Sequence, residues 1–248
     1  MRLTLFATLV LCCGATFATA QSAQWDYVGS RGPLNWGKLD PAYKACSDGH
    51  EQSPIDIRKA RLNTALKPIE FHYIAGGATM VNTGHGIELR VHKGSYIVAN
   101  GVRYDLEKVA FHHPSEDAVN GKLTDMDAQL IHKSADGKIA ILVSRMNLDE
   151  SHPNAMLATL WQHLPTQPGQ TEEITDMVNA RGLLPNDSGY WTYTGSLTEP
   201  PCTEGVQWFV MEKYVGINRA QLRAFSSLYR INSRPLQDRN GRKIEANK

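Results

Sequence analysis

The chain has 248 residues, of which 42% are hydrophobic and 21% charged, enough for one large domain with its own core or two small ones. Lys and Arg number 26 against 25 Asp and Glu, a formal net charge of +1, so no polyanion-binding field exists and nucleic acid is not an expected partner. With 12 Pro and 20 Gly the composition is neither collagenous nor disordered.

At the start of the chain Arg2 precedes the apolar run from Leu3 to Cys13, and Ala18-Thr19-Ala20 forms a small-x-small cleavage pattern. Residues 1–20 therefore read as an export signal, and residues 21–248 as a single periplasmic or secreted domain. The apolar run is shorter than the roughly 20 residues a bilayer core needs, so no membrane span is expected. Bulky Leu11 and Cys12 argue against a lipid anchor on Cys12 or Cys13. Loss of Arg2 leaves 25 basic residues (26 less one) against 25 acidic ones. Cys46 and Cys202 are the cysteines left after the signal. In an oxidising compartment they read as one disulfide, with two separate buried thiols as the alternative. A bridge closing 156 residues (202 less 46) contributes on the order of 4–5 kcal/mol in the chain-entropy model. No CxxC pattern exists, which excludes a thiolate zinc site.

Residues 21–60 are rich in Trp, Gly and Pro and are expected to be irregular. From about residue 68 to 145 short alternating stretches recur: Gly86–His92, Ser95–Val98, Lys108–His112, Ala128–His132 and Lys138–Val143. Period-two patterning with β-branched and aromatic residues predicts strands. Asn100-Gly101 is a hairpin-turn signal between two of them. Helices are few. Met156–Leu164 predicts a short one, and Asn218–Arg230 a better one: Asn218 is the N-cap, Gln221 stands three residues on, and Leu222, Phe225 and Tyr229 share a face. The expectation is one mostly β domain.

Several runs carry chemistry: Gln52-Ser53-Pro54-Ile55-Asp56-Ile57, Asn82-Thr83-Gly84-His85, Lys108 to Asp117, Asp127 to His132, Tyr190 to Cys202 with Gly195-Ser196-Leu197-Thr198-Glu199-Pro200-Pro201-Cys202, and Arg234-Pro235-Leu236-Gln237. In this order, spanning residues 25–237, they resemble the α-class carbonic anhydrases of the secreted bacterial type. The resemblance implies a mainly β (α+β) fold with a large, twisted, mainly antiparallel central sheet, a conical cleft and short flanking helices. It also implies a bond between Cys46 and Cys202.

The chemistry implied by the resemblance is reversible hydration of CO2 to bicarbonate by zinc-bound hydroxide. In that family three neutral imidazoles hold the metal and the pKa of its water falls to about 7. A His-x-His strand supplies two ligands, because i and i+2 share a face, and a neighbouring strand supplies the third. In this chain those positions fall on Ala110, His112 and Gln129, with Asp127 in the place of the carboxylate that orients the third ring. His113 and His132 point to the opposite faces of their strands, and a one-residue slip to recruit them inverts the packing of the strand. A methyl supplies no donor, and an amide oxygen suits harder cations. No cofactor is therefore expected, with zinc held weakly or not at all.

The rest of the apparatus matches. Thr198 corresponds to the gatekeeper hydroxyl and Glu116 to its carboxylate partner. His85 corresponds to the proton-shuttle histidine. Ile131, Val143, Leu197 and Trp208 correspond to the apolar cleft wall, though plain core packing explains those four equally well. Lys108 and Arg90, with Glu88 and Glu199, map toward the cleft. The two cations are candidate contacts for a small anion, the alternative being salt bridges across an unused cleft. The sequence thus predicts a secreted carbonic anhydrase homologue with impaired catalysis, acting as a binding or scaffold protein. Residual or unconventional CO2 hydration and a structural or storage role are the alternatives; whether it is an enzyme stays undecided at this level.

Overall fold

The computed structural model describes residues 24–248; the export signal expected at residues 1–20 lies outside them. The Trp- and Pro-rich start folds as short helical turns, including α1 (Trp36–Leu39) and α2 (Ala45–Asp48). The strands follow: β1 (Asp56–Ile57), β2 (Arg61–Leu62), β3 (Glu70–His72), β4 (Gly76–Asn82), β5 (Ile87–Val91), β6 (Tyr96–Ala99), β7 (Val102–His112), β8 (Ala118–Val119), β9 (Met126–Lys133) and β10 (Ile139–Leu148). After helix α3 (Ala155–Trp161) come β11 (Thr171–Val178), β12 (Tyr190–Ser196), β13 (Glu204–Met211), β14 (Val215–Ile217), helix α4 (Arg219–Ser226) and β15 (Glu245–Ala246).

Thirteen strands form one sheet in the order β11-β4-β5-β7-β9-β10-β13-β12-β15-β2, with β6 and then β3 beside β7 and β14 beside β10. Its pairs are antiparallel except β10 with β13, β10 with β14 and β15 with β2. The expected mainly β architecture is the observed one. Asn100 (φ 51°) and Gly101 (φ 80°) make the predicted tight turn between β6 and β7, since both central positions of such a hairpin need left-handed backbone.

Strand alternation decides what the sheet presents on each side. In β7, Val109 and Phe111 enter the main core with Leu89, Leu130 and Leu142. Lys108, Ala110 and His112 face the other way and line a cavity. A bulge at Glu107 shifts the register between Leu106 and Lys108 and turns this residue toward the cavity as well. A second core of Ile55, Ile57, Ile141, Val143, Tyr193, Val206 and Trp208 lies on the cavity side of β10 and β13.

The bond between Cys46 and Cys202 is present, and both cysteines pack with Tyr27, Trp36 and Tyr43. Helix α4 carries the predicted capping box: Asn218 Oδ1 accepts from the Gln221 N–H at 2.8 Å and Gln221 Oε1 from the Asn218 N–H at 3.0 Å. It ends at Ser226, earlier than the pattern predicted, because the chain beyond it turns back to the sheet. There Asn232 Nδ2 donates to the Phe111 carbonyl at 2.9 Å.

Candidate functional site

The cavity of about 620 Å³ opens over β5, β7 and β9, with Leu197–Pro200 as its opposite wall. Its floor follows from strand register. Ala110 stands directly opposite Gln129, and His112 opposite Asp127, across the β7–β9 pair. Directly opposed side chains are close neighbours on one face. Asp127 accordingly takes the ring across from it: His112 Nδ1 donates to Asp127 Oδ1 at 2.9 Å, with both side chains buried. The sequence expectation that Asp127 orients the residue at 129 is corrected here. Residue 129 carries no ring, and the short Asp side chain meets its cross-strand partner instead. The other oxygen, Oδ2, accepts the Glu116 N–H at 2.8 Å.

Gln129 has a different employment. Its Nε2 donates to Glu116 Oε2 at 2.7 Å, while Glu116 Oε1 accepts the Arg234 N–H at 3.1 Å. The Thr198 hydroxyl also donates to the Glu116 carboxylate, so the expected Thr198–Glu116 partnership is present. Burial pushes the Glu116 carboxyl up, opposed by the field of His112 and by the hydrogen bonds from Thr198 and Arg234. Burial also opposes a charge on His112. The Glu116 and Asp127 carboxylates, the Asp127 hydrogen bond and Glu199 outweigh it and lift the imidazole to about 9.

This donor set does not fit the zinc that the resemblance implies. Position 110 ends in a methyl, the Gln129 amide nitrogen is spent on Glu116, and of the two described histidines that border the cavity, His132 is bonded to Tyr73, which leaves His112. Among the described residues no group of three or more His, Cys, Asp or Glu side chains converges in a way that holds a metal ion. His113 is turned away, its Nδ1 donating to the Arg230 carbonyl at 2.8 Å. His132 borders the cavity but is itself buried, its Nε2 2.8 Å from the Tyr73 hydroxyl, and burial lowers it to about 4.

The remaining expected residues divide. Ile131 and Leu197 line the cavity, joined by Ile139 and Ile141. Val143 and Trp208 do not; both are buried in the second core behind that wall, where the register of β10 and β13 carries them. His85 is stacked on Trp25 at 3.8 Å between ring centroids, and its Nε2 donates to the Trp25 carbonyl at 2.9 Å. It is thereby held by the N-terminal segment and is not part of the cavity lining.

Lys108 and Arg90 are not free cations. Both bind one carboxylate: Lys108 Nζ is 2.5 Å from Glu88 Oε1 and Arg90 Nη2 is 3.1 Å from Glu88 Oε2. Glu88 faces Ala110 in the β5–β7 register, so it reaches Lys108 along the same face. The candidate anion contacts are corrected to an ion-paired trio.

Three contributors had no assigned role at the level of sequence. Tyr27 donates its hydroxyl to Glu199 Oε1 at 3.0 Å across a separation of 172 residues. Buried Arg234 donates to the carbonyls of Ser53 and Cys46 and to Gln52 Oε1, each at 2.8 Å, tying the disulfide segment to the floor. Glu107 enters through the bulge. Arg234 lies in a run that carried the resemblance, and that run was its signal; Tyr27 had none.

Comparison with known proteins agrees with this architecture. A family model described as eukaryotic-type carbonic anhydrase matches residues 31–248. A carbonic anhydrase of Pectobacterium carotovorum is 35% identical over 239 residues, covering 96% of this chain and 96% of its own. Among solved structures, the α-carbonic anhydrase of Thermovibrio ammonificans in complex with the inhibitor sulfanilamide is similar with a TM-score of 0.87 and 37% identity, over 91% of this chain and 100% of that one. A dioscorin complexed with ascorbate is similar with a TM-score of 0.83 and 32% identity, over 90% of this chain and 97% of that one.

Proposed function

The chain belongs to the eukaryotic-type carbonic anhydrase family, and from that premise we propose that it is an exported member with impaired CO2 hydration whose cleft serves as a binding site without zinc. The observation that carries the reading is the pairing of Ala110 and Gln129 at the cleft floor, where a methyl faces an amide already bonded to Glu116. Losing an outer partner of a metal ligand costs about 10- to 100-fold in affinity, and two missing imidazoles cost far more. Without a metal to acidify water, the Thr198–Glu116 pair has no hydroxide to position at neutral pH. The pair is kept as a hydrogen-bonded support for the floor, together with His112, Asp127 and Gln129. The solved dioscorin that holds ascorbate supports small-molecule binding as a use for this fold.

Elemental analysis of the purified mature protein with stopped-flow CO2 hydration tests the proposal. The expected result is far less than one zinc per chain and a rate near the uncatalysed one. Stoichiometric zinc with rapid hydration overturns it. The variant Ala110→His with Gln129→His is expected to gain zinc binding, read by metal content. A structural or storage role is the second reading, favoured by the disulfide that ties the start of the domain to the cleft wall. It prevails if neither metal nor any small molecule binds.

A further inference from the structure

Asp117 follows Glu116 in the chain but does not line the cavity; it is buried, at 1% exposure, against the second core. Its Oδ1 accepts the Ile55 N–H and the Tyr193 hydroxyl, each at 2.9 Å, and both of those residues belong to that core. Its Oδ2 has no hydrogen-bond partner, and among the described residues no cation forms an ion pair with Asp117. The cations within its field are committed elsewhere. Arg145 on β10 donates to the Met211 and Glu212 carbonyls, and Arg242, just before β15, donates to those of Gln52, Thr194 and Asp238. Glu116 and Asp127 add like charge, and His112 is bonded to Asp127. An unpaired carboxylate in such surroundings is costly, whereas a neutral carboxyl with one unbonded hydroxyl costs far less. Burial accordingly raises the Asp117 carboxyl to about 7, against the opposing hydrogen bonds from Ile55 and Tyr193.

The two bonds to Oδ1 join parts of the fold that are far apart in sequence. Ile55 leads into the β1–β8 pair, and its carbonyl accepts the Ala118 N–H at 3.2 Å. Tyr193 lies on β12, where the Ser53 hydroxyl donates to it at 3.4 Å. Ser53 and Ser196 in turn exchange bonds: Ser196 Oγ accepts the Ser53 N–H at 2.9 Å, and Ser53 Oγ accepts the Ser196 N–H at 3.2 Å. Leu197 of the cleft wall follows directly. We propose that Asp117 is a proton-operated latch: with its carboxyl neutral it clamps residues 52–57 to β12 behind the cleft wall, and loss of the proton loosens that junction. Ionisation places a charge without a counter-ion in the second core, and opening the junction lets water reach it. In the unfolded chain an Asp ionises near 3.9, so the folded chain holds this proton more tightly. The stability that the neutral carboxyl provides is thus complete below about pH 3.9 and is lost as pH rises towards 7.

The test compares the wild-type protein with Asp117→Asn, whose amide oxygen keeps an acceptor for Ile55 and Tyr193 but cannot ionise. Urea unfolding is followed across the acid and neutral range, and the ratio of the two folding constants cancels every titrating group the proteins share. The ratio of wild type to variant is expected to fall roughly tenfold per pH unit from about pH 5 towards about pH 7 and to level off above it. Amide exchange of Ile55, read by NMR, reports the junction itself. In the wild type it is expected to accelerate through neutral pH more steeply than base catalysis alone dictates, and in Asp117→Asn no more steeply than that. A ratio constant within about twofold over the same range, or the same pH dependence of Ile55 exchange in both proteins, overturns the latch. Should Asp117→Asn fail to fold, the carboxyl 13C resonance of Asp117 in the wild type decides. A titration midpoint above about pH 6 is expected, and one below it, towards the ordinary Asp value, overturns the inference.

Discussion

The contact between Gln129 and Glu116 joins two side chains that are almost wholly buried, at 2% and 1% exposure, with 2.7 Å between amide nitrogen and carboxylate oxygen. Replacing Gln129 by Leu removes the donor while nearly preserving volume, and leaves the Glu116 carboxyl with the Thr198 hydroxyl and the Arg234 N–H. A hydrogen bond to a charged group contributes about 1.5–3 kcal/mol, and an acceptor left short in a dry site is costly. The variant is therefore expected to lose about 2 kcal/mol, which for a domain of this size lowers Tm by roughly 4–8 °C. The leucine adds apolar contact of its own, so a single-variant loss understates the bond. A double-mutant cycle with Glu116→Gln, measured by urea unfolding at neutral pH, isolates the pair. The coupling energy is expected at about 1.5–3 kcal/mol. A value below about 0.5 kcal/mol, within the scatter of independent sites, refutes the view that Gln129 is an integral part of the floor.

Three further outcomes are expected. Replacing Cys46 and Cys202 by Ser opens a loop of 156 residues and is expected to cost about 2–5 kcal/mol, read as a lower urea midpoint. Buried His132, lowered from 6.5 to about 4, binds its proton more readily in the unfolded chain. The stability that its neutral form provides is thus complete above about pH 6.5 and is lost as pH falls toward 4, on the order of 3 kcal/mol in all. A stability–pH profile of His132→Gln that keeps the wild-type slope in that window counts against this assignment. Glu88→Ala releases Lys108 and Arg90, which are 36% and 57% exposed, so the stability change is expected to stay below about 1 kcal/mol. The same variant is expected to gain salt-sensitive binding of small anions in the cleft; an unchanged anion titration shows that Glu88 was not holding those cations.

Much of the architecture was legible in local pattern because local physics sets it. Period-two alternation placed Val109 and Phe111 on one face and Lys108, Ala110 and His112 on the other, and Asn100-Gly101 set the turn that feeds β7. Asn218 and Gln221 marked the start of α4, since a cap acts within one turn. The same alternation turned His113 to the Arg230 carbonyl, while His132 borders the cavity with its Nε2 on the Tyr73 hydroxyl. The resemblance, for its part, led to the Cys46–Cys202 bond.

The face each strand residue occupies was thus already written in the order of residues, and with it the methyl and the amide at positions 110 and 129. The choice of partner came only with packing: Asp127 for His112, Gln129 for Glu116, Glu88 for both Lys108 and Arg90, and Tyr27 for Glu199. Packing also decided that Val143 and Trp208 lie behind the wall and that His85 rests on Trp25. Alternation is a property of the backbone and reads out residue by residue. Partner choice depends on side-chain reach across strands and loops as many as 172 residues apart for Tyr27 and Glu199, and that distance is closed only when the sheet and its N-terminal segment pack together.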